Sequence, residues 1–180
     1  KEIKIIKKFI GENYIPHDHI IGYLGTMKVF YNAFDLYEDK IDTLINLADI
    51  YSTYKAYQSA YRTLSEAEDI AREKMWELNI NNTWAFNFDK LGRYWGAKIG
   101  EVDIVAIDSL DKNLIVGECK YTKSEKGLDV LHLLEEKGEA LKQLTKSKNI
   151  EYIIFSTGGF TKGLLDEAKE NSKVKLIDEI

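Results

Sequence analysis

The stretch Glu101–Tyr121, which reads EVDIVAIDSLDKNLIVGECKY, decides how the chain folds. It contains two apolar runs rich in β-branched residues, Val102–Ile107 and Leu114–Gly117, and each is too short for an ordinary helix. A polar connector of turn-forming type, Ser-Leu-Asp-Lys-Asn, lies between the two runs. This pattern predicts a β-hairpin.

The register of the hairpin follows if Asp108 and Asn113 close a four-residue loop. The opposed pairs are then Ile107–Leu114, Val105–Val116, Asp103–Glu118 and Glu101–Lys120. All eight side chains are expected on one face, because side chains alternate along a strand. Directly opposed residues have Cβ atoms about 5 Å apart. The register therefore brings two carboxylates together at the rim of an apolar patch, with a lysine nearby.

Two carboxylates directly opposite each other destabilise a sheet unless their charge is compensated. A divalent cation is the natural candidate, because Mg²⁺ binds carboxylate oxygens and keeps positions for water and phosphate. We therefore expect Asp103 and Glu118 to bind Mg²⁺ or Mn²⁺, with the main-chain carbonyl of Cys119 as a further candidate ligand. The alternative is a salt bridge of Lys120 with Glu101 or Glu118, although one lysine cannot neutralise three carboxylates in a partly buried place.

Length, composition and charge limit which class of protein this can be. A length of 180 residues with 44% hydrophobic content predicts one domain, or one domain with a helical attachment. No apolar run reaches the roughly 18 residues of a membrane span, and no signal peptide is visible, so we expect a cytoplasmic location. The single cysteine excludes an internal disulfide and a thiolate zinc site. The net charge of −5 argues against a domain-wide basic surface for nucleic acid but permits a local one.

Periodicity along the rest of the chain predicts an α/β sandwich. Residues 1–62 show helical spacing and form a predicted N-terminal helical region, whereas 63–180 form a sheet-containing domain. The predicted elements of this domain are a helix at 63–78, a strand at 83–88, a turn with a short extended piece at 89–96, the hairpin, a helix at 129–145, a strand at 151–156, a helix at 161–170 and a strand at 173–177. The central strands are apolar on both faces, with Val102 predicted beside Ile104 on the face away from Val105. Helices 63–78 and 129–145 are therefore the candidates for covering the two sides of the sheet.

The helix predicted at 129–145 is amphipathic. Its residues on one side are Val130, Leu133, Leu134, Lys137, Leu141 and Leu144. We expect that side to face the sheet.

Four ordered segments resemble the PD-(D/E)xK nuclease superfamily, which has the restriction-endonuclease fold. They are Gly92–Trp95, Glu101–Ala106, Gly117–Tyr121 and Phe155–Thr161. More narrowly, the segments are similar to the nuclease-like domain at the C-terminus of a group of archaeal ATPases. The resemblance covers about residues 64–177 and implies a restriction-endonuclease-like α/β/α sandwich with a mixed central sheet.

The resemblance also assigns roles to residues. Asp103 and Glu118 match the metal-binding acids of the superfamily, and Lys120 matches its catalytic lysine. Glu68 matches the acid on the first helix, although Ala67 stands where a bulky aromatic residue is expected. The resemblance thus implies a Mg²⁺-dependent or Mn²⁺-dependent catalytic site.

These residues predict metal-dependent hydrolysis of nucleic-acid phosphodiester bonds, with DNA favoured over RNA. Lys120 is expected to orient the attacking water or stabilise the oxyanion, and Glu101 to partner Lys120. Lys123, Lys126 and Arg93 are the predicted contacts to nucleic-acid phosphates. One alternative is a catalytically idle domain that binds nucleic acid or regulates an ATPase in the same or another chain. Another is an α/β protein whose acidic cluster is purely structural. The oligomeric state is left open and includes a homodimer.

Overall fold

A computed structural model describes residues 43–45, 47, 48 and 57–178 of the chain. The helices and strands in chain order are α1 (Tyr57–Ile80), β1 (Lys90–Gly96), β2 (Gly100–Asp108), β3 (Asn113–Lys120), α2 (Leu128–Thr145), β4 (Asn149–Ser156), α3 (Lys162–Glu170) and β5 (Val174–Ile177). The chain divides into two compact units, Lys1–Ile70 and Ala71–Ile180. Helix α1 contains the boundary, and all five strands belong to the second unit.

Most of the helical region predicted at 1–62 lies outside the described residues. The parts of it that the structure describes, 43–45, 47, 48 and 57–62, are helical. Within the described ranges, none of the helices combines the length and apolar character needed to cross a membrane.

The sheet has five strands in the order β1-β2-β3-β4-β5. Strands β1, β2 and β3 are antiparallel neighbours, whereas β3, β4 and β5 are parallel neighbours. Helix α2 connects β3 to β4 and helix α3 connects β4 to β5, as parallel neighbours require. The predicted fold class, an α/β arrangement with a mixed central sheet, is confirmed.

Helices α2 and α3 pack on one face of the sheet, which we call the α2 face. Its buried core consists of Val102, Leu114, Val116, Leu131, Leu134, Leu141, Ile150, Tyr152, Ile154, Phe160, Leu164 and Val174. The residues that α2 itself buries are Leu131, Leu134, Gly138 and Leu141. The predicted inward side is therefore wrong for Leu133 and Leu144, which are 52% and 59% exposed. Periodicity alone did not specify how α2 is rotated about its own axis. In the structure, the helix is rotated so that Gly138 lies against the sheet.

The hairpin turn forms as predicted. Asp108 is paired with Asn113, and the pairs Ile107–Leu114 and Val105–Val116 follow. One oxygen of the Asp108 carboxylate accepts the main-chain N–H groups of Leu110 and Asp111 at 3.0 and 3.2 Å. The other accepts the side-chain amide of Asn113 at 2.7 Å. A short acidic side chain thus satisfies the turn amides, which explains why this connector closes the hairpin.

Regular alternation breaks near the start of β2. Gly92 of β1 pairs with Val105 and Tyr94 pairs with Val102, so three residue steps of β2 oppose two steps of β1. The extra residue is a β-bulge. The bulge turns Val102 into the α2 face. The predicted placement of Val102 beside Ile104 is therefore wrong, because that prediction assumed an unbroken period of two.

Residues 83–88 do not form the predicted strand. The first strand is β1, where a turn and a short extended piece were predicted. The side chain of Asn79 donates to the carbonyl of Phe88 and accepts its N–H, both at 3.1 Å. The N–H of Ala85 donates to the Glu151 carboxylate at 3.2 Å. Side chains therefore satisfy main-chain groups that a strand would have paired with a neighbour.

Candidate metal centre

Two of the predicted site residues lie at the carboxyl end of β3 on the α2 face. Glu118 pairs with Ile154 and Lys120 pairs with Ser156 across the parallel β3–β4 ladder. Since Ile154 belongs to the buried core of the α2 face, Glu118 and Lys120 lie on that face at the edge of the core. Cys119, between them, is buried and pairs with Phe155 on the opposite face.

Glu118 forms ion pairs with two lysines. Its Oε1 atom lies 2.5 Å from the Lys120 ammonium. Its Oε2 atom lies 3.6 Å from the ammonium of Lys137, which comes from α2. The Lys120–Glu118 salt bridge, held as the alternative in the sequence analysis, is therefore present. The argument against this salt bridge counted only one lysine, whereas Lys137 supplies a second positive charge.

Sequence reasoning missed Lys137 as a site residue. It placed Lys137 only on the inward side of an amphipathic helix. The Lys137 ammonium also donates a hydrogen bond to the main-chain carbonyl of Glu101 in β2 at 2.8 Å. It thereby joins α2 to both strands of the hairpin. The available signal was a lysine on the apolar side of the helix, next to a glycine that permits close approach.

Asp103 lies within the bulge of β2, and its side chain replaces part of the hairpin ladder. The regular pairing of β2 with β3 runs as far as Ile104 and Gly117. Beyond that pair, Asp103 Oδ2 accepts the main-chain N–H of Cys119 at 2.8 Å. The guanidinium of Arg72 donates to the main-chain carbonyl of Asp103, also at 2.8 Å. Asp103 is only 8% exposed, so its carboxylate is largely shielded from solvent.

Burial raises the pKa of Asp103 above its usual range, and the negative charge of Glu118 raises it further. The hydrogen bond from Cys119 and the charge of Lys120 act in the opposite direction, and Glu101 adds a smaller rise in this pKa. Ionisation of Asp103 is therefore costly in the folded protein. A cation beside it would offset that cost.

The donor set suits one class of metal ion. Within the described ranges, no group of three or more His, Cys, Asp or Glu residues is arranged to hold a metal ion. A structural zinc site with four protein ligands does not fit such a set. Mg²⁺ fits better, because it retains several waters and needs only one or two protein carboxylates besides phosphate. Asp103 and Glu118 supply that number.

Glu68 and Glu101 were also predicted to belong to the site. Glu68 is half-buried on helix α1 and belongs to the first compact unit, whereas Asp103, Glu118 and Lys120 belong to the second. Its role as a catalytic acid stays a prediction. Glu101 has an exposed side chain. Its main-chain carbonyl accepts from Lys137, and its predicted partnership with Lys120 stays a prediction.

The loop after β3 presents the predicted phosphate contacts. Lys123 is exposed and Lys126 is half-buried, with the Lys126 ammonium 2.9 Å from the Ser124 hydroxyl. The Lys126 N–H donates to the carbonyl of Gly159 at 3.0 Å, in the loop after β4. Any Cβ atom at Gly158 would collide with main-chain atoms of the β3–α2 loop, so the two loops need a glycine there. Contacts between neighbouring loops thus hold both lysines near the end of β3.

Arg93, the third predicted contact to nucleic acid, lies on β1. Its side chain is exposed. Because β1 lies beside β2, Arg93 is on a strand next to the one that carries Asp103.

Comparisons with known proteins place the chain in a family. The family model DUF234, described as archaea bacterial proteins of unknown function, matches residues 32–150. No curated protein matches the chain.

Two solved structures are similar to part of the chain. One is the crystal structure of a repair endonuclease from Pyrococcus abyssi, at 17% identity and a TM-score of 0.38, with 58% of this chain and 45% of that chain covered. The other is a complex of EndoMS with double-stranded DNA, at 20% identity and a TM-score of 0.36, with 59% of this chain and 44% of that chain covered. The chain therefore spans less than half the length of either protein.

Proposed function

We propose that this chain, which belongs to the DUF234 family, is a metal-dependent nuclease that hydrolyses phosphodiester bonds, with DNA as the preferred substrate. The observation that carries the proposal is the grouping at the end of β3. The buried Asp103 has a raised pKa, Glu118 contributes to that rise, and Lys120 contacts Glu118 at 2.5 Å. A buried carboxylate with a raised pKa and a lysine nearby is the kind of group that acid–base and phosphoryl chemistry uses.

Each residue has a role in the proposed reaction. Asp103 and Glu118 would hold Mg²⁺ or Mn²⁺, with the main-chain carbonyl of Cys119 as a further candidate ligand. When bound there, such an ion would lower the pKa of a nearby water and offset charge on the scissile phosphate. The Lys120 ammonium orients the attacking water or stabilises the oxyanion, and Glu101 partners Lys120.

Contacts to the nucleic acid come from basic side chains near the site. Lys123 and Lys126, in the loop after β3, meet the phosphates next to the scissile bond, and Arg93 contacts the backbone from β1. Phosphate contacts supply affinity without reading sequence. The proposal therefore gives the protein little sequence preference.

A nicking assay tests the proposal. Supercoiled plasmid DNA, with an RNA substrate in parallel, is incubated with the protein and Mg²⁺ or Mn²⁺. We expect Lys120→Ala to lower the cleavage rate by about a hundredfold or more, the usual loss on removal of an electrostatic stabiliser. Lys148→Ala is the matched control, because Lys148 is exposed at the opposite end of the sheet, just before β4. Unchanged cleavage by Lys120→Ala excludes Lys120 from the mechanism, and an inert wild-type protein excludes the nuclease.

A second candidate function is binding without turnover, as a nucleic-acid-binding or regulatory domain attached to an ATPase. The pairing of both Glu118 oxygens with lysines favours it, because this carboxylate is already neutralised by the protein itself. Calorimetry with Mn²⁺ distinguishes the two functions. DNA binding without metal uptake at millimolar Mn²⁺ would favour the binding domain. An ATPase partner, a homodimer and a cytoplasmic location stay predictions.

A further inference from the structure

We propose that the Lys137 ammonium acts as a resident cation on Glu118 and thereby competes with the divalent ion for this carboxylate. The inference rests on the proposed function, because it concerns the metal affinity of the same site. It assigns Lys137 as a positioning residue that acts through Glu118. Metal affinity would then depend on a residue of α2 that lies outside the carboxylate–lysine motif of β3.

The contacts of Glu118 carry the first step. Lys120 lies 2.5 Å from Oε1 and Lys137 lies 3.6 Å from Oε2, so each carboxylate oxygen has its own lysine. The side chains of Glu118 and Lys137 are only 13% and 19% exposed, so solvent and salt screen this pair less than a surface pair. A metal ion that binds Glu118 must therefore share the carboxylate with an ammonium group or displace it.

The two lysines lie on different elements, and this difference decides which one gives up its contact with Glu118 when a metal ion binds. Lys120 is two residues from Glu118 on the same strand, so backbone geometry ties the two side chains together. Lys137 reaches Glu118 from another element, and its pair distance is longer by about an ångström. When a cation arrives, Lys137 also keeps a second acceptor, the Glu101 carbonyl at 2.8 Å. Lys137 is therefore the ammonium that can leave Glu118 without losing all of its partners.

Manganese titration of the full chain tests the inference without substrate. The proteins are wild type, Lys137→Met, Lys137→Arg and Lys142→Met, and the Kd for Mn²⁺ is measured by calorimetry and by the EPR signal of free Mn²⁺. We expect Lys137→Met to bind Mn²⁺ with a Kd about two- to fivefold lower, the range that a partly screened ion pair supports. Lys137→Arg should remain near wild type, because it keeps the charge.

Lys142→Met is the matched control for loss of a lysine from α2. Lys142 pairs with Glu139 of its own helix at 3.8 Å, and the Glu139 side chain is 55% exposed. Its removal should leave the Kd for Mn²⁺ unchanged. Lys137→Gln is a second variant that removes the charge, in case Lys137→Met fails to fold by circular dichroism.

The possible outcomes separate this inference from the proposed function. Equal Kd values in all variants, or weaker binding by both uncharged Lys137 variants, would overturn the inference and leave the metal site standing. Binding by Lys137→Met but not by wild type would support the inference and overturn metal-dependent catalysis by the natural chain. No Mn²⁺ binding by any folded variant would overturn both.

Discussion

In the folded protein, the surroundings of Asp103 oppose ionisation of its carboxyl group. Burial and the nearby Glu118 raise its pKa, while the Cys119 N–H fixes its orientation. Between the ordinary aspartate pKa of about 4 and the raised value, the folded protein keeps a proton that the unfolded chain has released. The free energy of unfolding therefore falls as the pH rises through this window, and the loss persists at neutral pH.

The variant Asp103→Asn tests this electrostatic cost. Without metal, in EDTA, we expect the variant to be more stable than wild type at pH 8 and to lose that advantage toward pH 4. Asparagine retains a side-chain oxygen that can accept from Cys119 but carries no charge. The measurement is the urea midpoint of unfolding across this pH range. Mn²⁺ uptake should fall in the same variant if the proposed metal site is correct.

Asp166→Asn provides the control for this comparison. Asp166 lies on α3 with a side chain that is 50% exposed, paired with Lys169 of the same helix. Its replacement should change stability little at either pH. A lower urea midpoint for Asp103→Asn at pH 8 would mean that the charged carboxylate stabilises the fold, contrary to the expectation.

At this scale, local periodicity predicted part of the site. Glu118 and Lys120 share a face because they are two residues apart on a strand, which needs no tertiary information. Asp103 was placed on the right strand, but the bulge that connects its side chain to Cys119 depends on how β1 pairs with β2. Lys137 was missed because its contacts depend on the rotation and closeness of α2, which a helical pattern does not specify.

Helix α2 reaches the site because Gly138 lets it approach the sheet closely. A Cβ atom at Gly138 would lie 2.8 Å from side-chain atoms of Ile150 and Tyr152 and 3.0 Å from Val116. Distances this short require neighbouring atoms to move. Since Lys137 precedes Gly138, the same close approach brings its ammonium to the hairpin.

Gly138→Ala should destabilise the protein despite the better helix propensity of alanine. Overpacking a core costs roughly 1–3 kcal/mol, and the propensity gain returns about 1 kcal/mol. We expect a net loss of up to about 2 kcal/mol in the free energy of unfolding, measured by urea denaturation. The variant should also weaken the contact of Lys137 with Glu118.

Gly163→Ala, on α3, is the matched glycine substitution. Its nearest neighbour would be Leu128 at 3.7 Å, an ordinary contact distance. Stability should stay the same or rise by up to about 1 kcal/mol, because alanine restricts the unfolded chain. A stability gain of the same size in both variants would show that the approach of α2 does not depend on Gly138.

The elements themselves were predictable to different degrees. The hairpin, the helices at α2 and α3 and the strands β4 and β5 follow from period and turn residues that agree with one another. Residues 83–88 have an alternating pattern, but Asn79 and Glu151 satisfy their main-chain groups from elsewhere in the fold. The strand forms instead at β1, where two glycines favoured a turn prediction but β2 offers a partner for pairing.

At the scale of the whole molecule, charge limits how the protein can bind nucleic acid. The net charge of −5 gives no general attraction for phosphate. Charges farther away than the Debye length, about 10 Å at 0.1 M salt, are largely screened. Affinity must therefore come from a few lysines close to the site, and the loop after β3 supplies two of them.

The double variant Lys123→Ala/Lys126→Ala tests this local origin through the salt dependence of DNA binding. Each phosphate contact contributes about −0.9 to the slope of log K against log salt concentration. Loss of two contacts should make the slope shallower by about 1.8, with weaker binding at low salt. The control Lys169→Ala/Lys173→Ala removes two exposed lysines elsewhere and reaches the same net charge. Equal changes in slope for the two double variants would show that overall charge, rather than the loop beside Lys120, governs binding.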